Sequence, residues 1–222
     1  MMKTDRRPWW AYATVVGVLL SLSLLGGCFL LGFDDDDAPP GDGLMGEPMP
    51  WAAPVPRTGQ AQSFDYAHVD DGGLRRGVAW PNPRFADNED GTVTDHLTGL
   101  VWLKDGSCLG AAFWETSLQL VSEFNGGKEC DCEEYVAGSH TDWRLPNVRE
   151  LFSLIDFSRW SSTSDPMLPA EHSFVGVQRA EYWTSTSTGM LGPAFYVSFV
   201  GGFVDVDAKM HSNRVWAVRG GS

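Results

Sequence analysis

Apolar and polar positions divide this chain into three regimes. An unbroken apolar run covers residues 9–25 and, after Gly26, Gly27 and Cys28, continues through Phe29, Leu30, Leu31 and Phe33. Residues 34–80 have no sustained period. Asp34, Asp35, Asp36 and Asp37 form a charge run, and Pro39, Pro40, Pro48, Pro50, Pro54 and Pro56 follow among glycines. Proline fixes φ and removes a backbone donor, so this stretch favours extended, solvated chain over packed structure. From Arg84 onward, short periodic segments alternate with turn signals.

The periodic part predicts strands, then two helices, then more strands. Asn88-Glu89-Asp90-Gly91 is a turn signal before a short strand at 92–94, and Thr98-Gly99 turns the chain into a buried strand at 100–103. Trp114, Leu118 and Val121 fall at i, i+4 and i+7, one face of a helix that Asn125-Gly126-Gly127 stops. A second helix starts after Leu145-Pro146, with Val148, Leu151 and Ile155 on its inner face. Residues 157–180 lack a period and read as a long surface loop. Strands follow at 182–185, 194–200, 203–206 and 215–219, with Gly201-Gly202 marking a hairpin. That order argues an α+β fold with a curled, mostly antiparallel sheet.

The N-terminal regime carries an address. Lys3, Arg6 and Arg7 precede the apolar run, as in an export signal. Leu25-Gly26-Gly27-Cys28 resembles a bacterial lipobox, which implies cleavage after residue 27 and a lipidated Cys28. Each acyl CH₂ buried in a bilayer contributes about 0.8 kcal/mol, so several chains hold a protein firmly. The competing reading is an uncleaved membrane helix, because the apolar run from residue 9 to 33 reaches the ~20 residues that a span needs. Small residues before Cys28 favour the lipoprotein. Both readings place the chain beyond Asp34 outside the inner membrane. The expected organisation is a signal peptide at 1–27, a lipidated cysteine and tether at 28–81, and a folded domain at 82–222. A flexible tether of about 46 residues spans roughly 40 Å.

Charge narrows the partners. The whole chain carries a formal charge of -13, and removal of residues 1–27 moves it to about -15 by deleting three basic side chains and one acidic one. Nucleic acid and anionic lipid surfaces should repel such a chain. Ten tryptophans argue for a packed core. Beyond Cys28 the cysteines are Cys108, Cys130 and Cys132. In an oxidising compartment they allow one disulfide, and a Cys108–Cys132 bridge would stabilise by about 3 kcal/mol through its loop of about 25 residues. Cys130 is the alternative partner. A metal or redox site at Cys130-Asp131-Cys132 is disfavoured, because its one-residue spacing differs from Cys-x-x-Cys.

Several motifs in the last regime occur together. Residues 84–95 (Arg84-Phe85-Ala86-Asp87-Asn88-Glu89-Asp90-Gly91-Thr92-Val93-Thr94-Asp95) run into Thr98-Gly99-Leu100-Val101-Trp102. Thr141-Asp142-Trp143-Arg144-Leu145-Pro146-Asn147, Glu150-Leu151, Tyr182-Trp183-Thr184-Ser185-Thr186 and Val218-Arg219-Gly220-Gly221 follow in order. Together, over about residues 82–221, they resemble the Lcl C-terminal domain family. That family is similar to C-type-lectin-like domains and to the formylglycine-generating enzyme fold. The resemblance implies a compact domain with two helices, export to the cell envelope, and non-catalytic binding, since the founding member's domain is an adhesin for sulfated glycosaminoglycans. It also implies that an irregular excursion, here 157–180, carries the ligand surface.

The residues qualify that expectation. Residues 82–222 hold about nine more acidic than basic side chains, which opposes a polyanionic ligand. Trp143, Arg144, Arg159, Trp160 and Trp183 are the candidate ligand-binding residues. Glu-Pro-Asn and Gln-Pro-Asp motifs of calcium-dependent sugar binding are absent from the sequence. Calcium at Asp87, Asp90 and Asp95 is the remaining cofactor candidate, against a hairpin whose Asn, Asp and Gly residues satisfy their own turn. The five histidines are scattered, and no Gly-x-Ser-x-Gly elbow accompanies the serine-rich stretches, so no catalytic residue is assigned. The expectation is a lipid-anchored envelope protein that binds a glycan or a protein. Its expected place is the outer membrane, on the periplasmic face or the cell surface. The alternative is a structural envelope protein whose domain mediates assembly.

Overall fold

A computed structural model describes residues 55–65, 67–130, 132, 134–160 and 162–221. The signal segment, Cys28 and the first part of the tether lie outside the described residues. Among the described residues no helix is long and apolar enough to cross a membrane.

The fold is α+β, with two mostly antiparallel sheets. Strands β1 (Phe85–Asp87), β2 (Thr92–Asp95) and β3 (Leu100–Leu103) form a meander, and β9 (Val218–Arg219) closes the four-stranded sheet against β3. The second sheet holds β4 (Ala111–Ala112), β5 (Glu181–Ser187), β6 (Ala194–Ser198), β7 (Phe203–Asp207) and β8 (Asn213–Arg214) in the order β4-β8-β5-β6-β7. Its β5–β8 pair is parallel, and its other pairs are antiparallel. Helix α1 (Asp71–Leu74) precedes the sheets, and α2 (Trp114–Asn125) and α3 (Val148–Phe152) lie between β4 and β5.

Tryptophan fills the centre. Trp102, Trp183 and Trp216 are buried, and the Trp216 ring meets Trp102, Phe174, Tyr182 and Phe199 at centroid distances of 5.3, 4.9, 5.8 and 6.1 Å. Its indole N–H donates to the Leu103 carbonyl at 2.8 Å, so this large ring is buried without an orphaned donor. Burial pushes the Tyr182 hydroxyl up to about 12, and that oxygen accepts from the Gln178 amide.

Several sequence expectations change. Helix α3 ends at Phe152, so Ile155 is buried beyond the helix and not on its face. The inward face of α2 is Ser117, Val121 and Phe124, whereas Leu118 is exposed. The apolar triplet misses the true stripe because Ser117 satisfies its own hydroxyl on the Phe113 carbonyl and so enters the core. The 157–180 stretch is only partly a surface loop, since Met167, Leu168 and Phe174 are buried and pin it to the core. Hydrogen bonds from the Asp156 amide to Met167 and from the Met167 amide to Phe199 fix the crossing. Part of the stretch expected to be a tether makes contacts of its own: Pro56 bridges Val78 and Trp80 donates to the Arg57 carbonyl, while the Phe157 amide donates to Thr58 and Arg84 lies over the Trp80 ring.

Glycine permits two close approaches. Gly91, at φ 79°, sets the β1–β2 turn against Tyr135, where a Cβ would stand 2.5 Å from a backbone nitrogen. Gly202, at φ 63°, ends the β6–β7 turn over Met167, whose Cε would lie 2.6 Å from an added Cβ. The exposed edge strand β7 guards itself. Asp205 accepts from the Val206 amide and Asp207 from the Ala208 amide, both at 2.8 Å, which occupies edge donors with the chain's own carboxylates.

Candidate functional site

The family-type motifs fold onto one another. Asn147 caps α3, accepting from the Arg149 and Glu150 amides, while Glu150 returns to the Asn147 amide at 2.7 Å. Arg144 places two nitrogens on the Glu150 carboxylate at 2.7 and 2.8 Å, and one of them also reaches the Gly220 carbonyl at 2.9 Å. The backbones of Arg144 and Val218 exchange two hydrogen bonds of 2.9 Å. Arg219 donates to Asp142 at 2.8 Å, and this contact holds the Asp142 carboxyl below its ordinary value. From the other side, the Ser185 amide donates to Pro146 and the Val148 amide to the Thr186 hydroxyl. The motifs at 141–150, 182–186 and 218–221 are therefore one hydrogen-bonded junction between both sheets and α3.

This junction relocates the candidate ligand residues. Trp143 is buried, with its N–H on the Tyr135 hydroxyl and its backbone paired with the Asn125 side chain. Trp183 is buried and donates to the Ala112 carbonyl. Neither ring is open to stack on a sugar. Arg144 is engaged as just described, and Arg159 pairs with Asp165 at 2.8 Å. Trp160 remains, 68% exposed beside Arg159. The five residues do not form one surface.

The acidic hairpin is also self-satisfied. Asp87 lies 2.8 Å from Lys104 Nζ, whose other contact is Glu134 at 2.5 Å. That lysine and then the Glu89 amide hold the Asp87 carboxyl below its ordinary value, and the two acids push Lys104 upward. Asp90 accepts from the amide and hydroxyl of Thr92. Asp95 is enclosed with Arg84. Asp87, Asp90 and Asp95 thus face separate partners, as in a hairpin whose side chains satisfy their own turn. Among the described residues, the side chains that converge with ligand atoms in reach of one another are Cys108, Cys130 and Cys132.

An open groove lies elsewhere. A groove of about 740 Å³ runs between the first turn of α2, the β5–β6 connection and the end of β7. Phe113, Leu191, Val206 and Met210 line it, with Glu115 and Lys209 at its polar positions. Leu191 is 99% exposed and Met210 73%. Lys209 fixes this apolar wall, because its Nζ donates to the Gly189 and Met190 carbonyls and sits 4.3 Å from the Trp114 ring centroid. Thr188 closes the same turn with amide and hydroxyl bonds of 3.0 Å to Pro193. At the margin, Asp207 orients the His211 ring at 2.6 Å. Among the described residues no serine, threonine or cysteine side chain hydrogen-bonds that ring. An apolar wall on a clamped turn can bind a surface by desolvation.

The sequence did hold a signal for this groove. Gly189-Met190-Leu191-Gly192-Pro193 places two large hydrophobes in a turn bounded by glycine and proline, where burial by the chain's own core is least expected. Periodicity passes over it because it belongs to neither a helix nor a strand.

These features define an α+β domain in which the segments 141–150, 182–186 and 218–221 build the scaffold and a separate groove stays open. The Lcl C-terminal domain model matches residues 91–219, and the chain belongs to that family. No curated protein matches the chain significantly.

Proposed function

We propose that this chain is a lipid-anchored cell-envelope protein that presents a non-catalytic, C-type-lectin-like binding module. Cys28 is its anchor, and the groove between α2, the β5–β6 connection and β7 is its ligand surface. The observation that carries the reading is Leu191, almost fully exposed on a turn that Lys209 and Thr188 hold in place. A monomer with no ligand has little reason to fix a large hydrophobe in water. The groove chemistry favours a protein over a sulfated glycan. Its apolar liners include Phe113, Leu191, Val206 and Met210, and the Glu115 and Asp207 carboxylates outnumber the one cation, Lys209, which opposes a polyanion. The alternative is assembly, in which the same wall packs against a partner subunit.

The test is a binding screen with the full chain in nanodiscs, against protein, peptide and glycan arrays, beside Leu191→Asp. The proposal expects a saturable protein hit that Leu191→Asp removes. A sulfated-glycan hit that survives Leu191→Asp would overturn it, and concentration-dependent self-association without any hit would favour assembly. Metabolic labelling with an acyl probe, lost in Cys28→Ser, tests the anchor. Unlabelled wild type at full molecular mass would instead indicate the uncleaved helix.

A further inference from the structure

Three sulfurs converge at one point of the fold. Cys108 lies between β3 and β4, whereas Cys130 and Cys132 follow α2, and their sulfurs all lie within 4.8 Å of one another. In that cluster Cys132 has both Cys108 and Cys130 as neighbouring thiol partners. A sulfur carries one disulfide at a time, so one bridge leaves one thiol. The Cα separations are 4.8 Å for Cys108–Cys132 and 5.3 Å for Cys130–Cys132. Both lie inside the usual range of about 4.4–6.8 Å, so this backbone accepts either bridge. The sulfurs are only partly buried, and a small cavity of about 120 Å³ reaches Cys108 and Cys130 beside Lys128.

We propose that Cys108, Cys130 and Cys132 form a thiol–disulfide exchange site, with Cys132 as the shared sulfur. The Cys130 thiolate attacks Cys132 Sγ. A Cys130–Cys132 bond forms as the Cys108–Cys132 bond breaks, and its electron pair leaves on the Cys108 sulfur, which takes a proton from water. The reverse step starts from the Cys108 thiolate. The Cys130 sulfur is oxidised as the Cys108 sulfur is reduced, so the step needs no external oxidant or reductant. The thiolate is the nucleophile, so the rate should rise with pH.

The two bridges hold the domain differently. Cys108–Cys132 fastens the segment after α2 to the β3–β4 connection across 24 residues of sequence, whereas Cys130–Cys132 is local, with a separation of 2. The fastened segment leads into Glu134, which pairs with Lys104, and Tyr135, which receives the Trp143 N–H. Exchange therefore sets how firmly that segment is tied to the core.

The experiment uses the full chain, with peptide mapping to separate Cys28 from the other three. Rapid acid denaturation followed by maleimide labelling should find Cys108 labelled in some molecules and Cys130 in others. Slow labelling of the native chain at pH 8.5 with a bulky maleimide should move most molecules to one labelled cysteine, shifting the ratio at least threefold. Cys108→Ser and Cys130→Ser should each retain a bridge to Cys132. An unchanged ratio, a single labelled cysteine in both protocols, or a bridge in only one variant would overturn the proposal. So would three free thiols with stoichiometric zinc, which would mark a metal site instead.

Discussion

Arg84 places two nitrogens on the Asp95 carboxylate, each at 3.0 Å, with both side chains buried. The pair ties the entry of β1 to the end of β2. Arg84 also donates to the Ser153 carbonyl and lies against Trp80 and Phe85, while Asp95 accepts from the Leu97 amide and the Thr98 hydroxyl. Geometry and extra hydrogen bonds of this kind offset the desolvation of a buried pair. Removing one member strands the other charge. Asp95→Ala should lower stability by about 3–5 kcal/mol. Arg84→Met with Asp95→Leu should restore part of that loss, and urea titration of the three chains checks both.

The capping box of α3 predicts a smaller effect confined to stability. Asn147→Ala leaves the Arg149 and Glu150 amides without their acceptor, which costs about 1 kcal/mol. Arg144→Lys keeps the charge but loses the two-point contact with Glu150. Both variants should show earlier urea midpoints and unaltered groove binding. Lost binding in a chain of wild-type stability would show that this junction also touches ligand.

Acid should weaken the domain in two windows. Burial holds the His172 imidazole below its ordinary value of 6.5, with Arg159 adding to the effect. A backbone hydrogen bond with Phe174 and the Asp165 charge act in the opposite sense. A histidine whose folded pKa is depressed contributes stability above the unfolded pKa and loses it as pH falls through the folded value. The first decline should therefore begin below about pH 6.5. His172→Phe should flatten it. Lowered carboxylates such as Asp87 and Asp142 stabilise above their ordinary pKa near 4, so their share is lost in more acid solution. Thermal melts from pH 8 to pH 3 separate the two windows.

The scaffold was largely legible in the sequence because its signals are local. Gly91, Gly99 and the Gly201-Gly202 pair mark turns, and Pro146 with Asn147 starts α3 at its observed position. β1, β4 and β8 were missed because each holds only two or three residues, too few to show a period. Leu118 looked inward and Ser117 outward because periodicity weighs polarity and cannot register a hydroxyl bonded to the preceding turn. The candidate site was less legible for a related reason. Trp143, Arg144 and Trp183 looked like ligand residues because they are aromatic or charged, yet their hydrogen bonds run to Tyr135, Glu150 and Ala112 within the fold. Asp87 and Asp95 resemble metal ligands until Lys104 and Arg84, distant in pattern, are brought beside them.

Groove and excursion make opposite predictions for binding, which the exposed hydrophobes on each can separate. Trp160 is the open aromatic of the 159–160 corner, and Leu191 and Phe113 are the open hydrophobes of the groove. None anchors the core, so Trp160→Ala, Leu191→Asp and Phe113→Ser should each leave the thermal midpoint within a few degrees of wild type. Under the groove reading, Leu191→Asp abolishes binding, since it puts a charge where ligand excludes water. Phe113→Ser weakens it at least tenfold, the loss expected of a central apolar anchor. Trp160→Ala leaves it unchanged. Under the excursion reading the pattern inverts. Surface plasmon resonance on the same immobilised partner, with all four chains at matched folded concentration, decides between them. Lys209→Met adds a further check. It keeps the stem over Trp114 but removes the donors to Gly189 and Met190, so binding should fall through a loosened turn while Leu191 itself is intact.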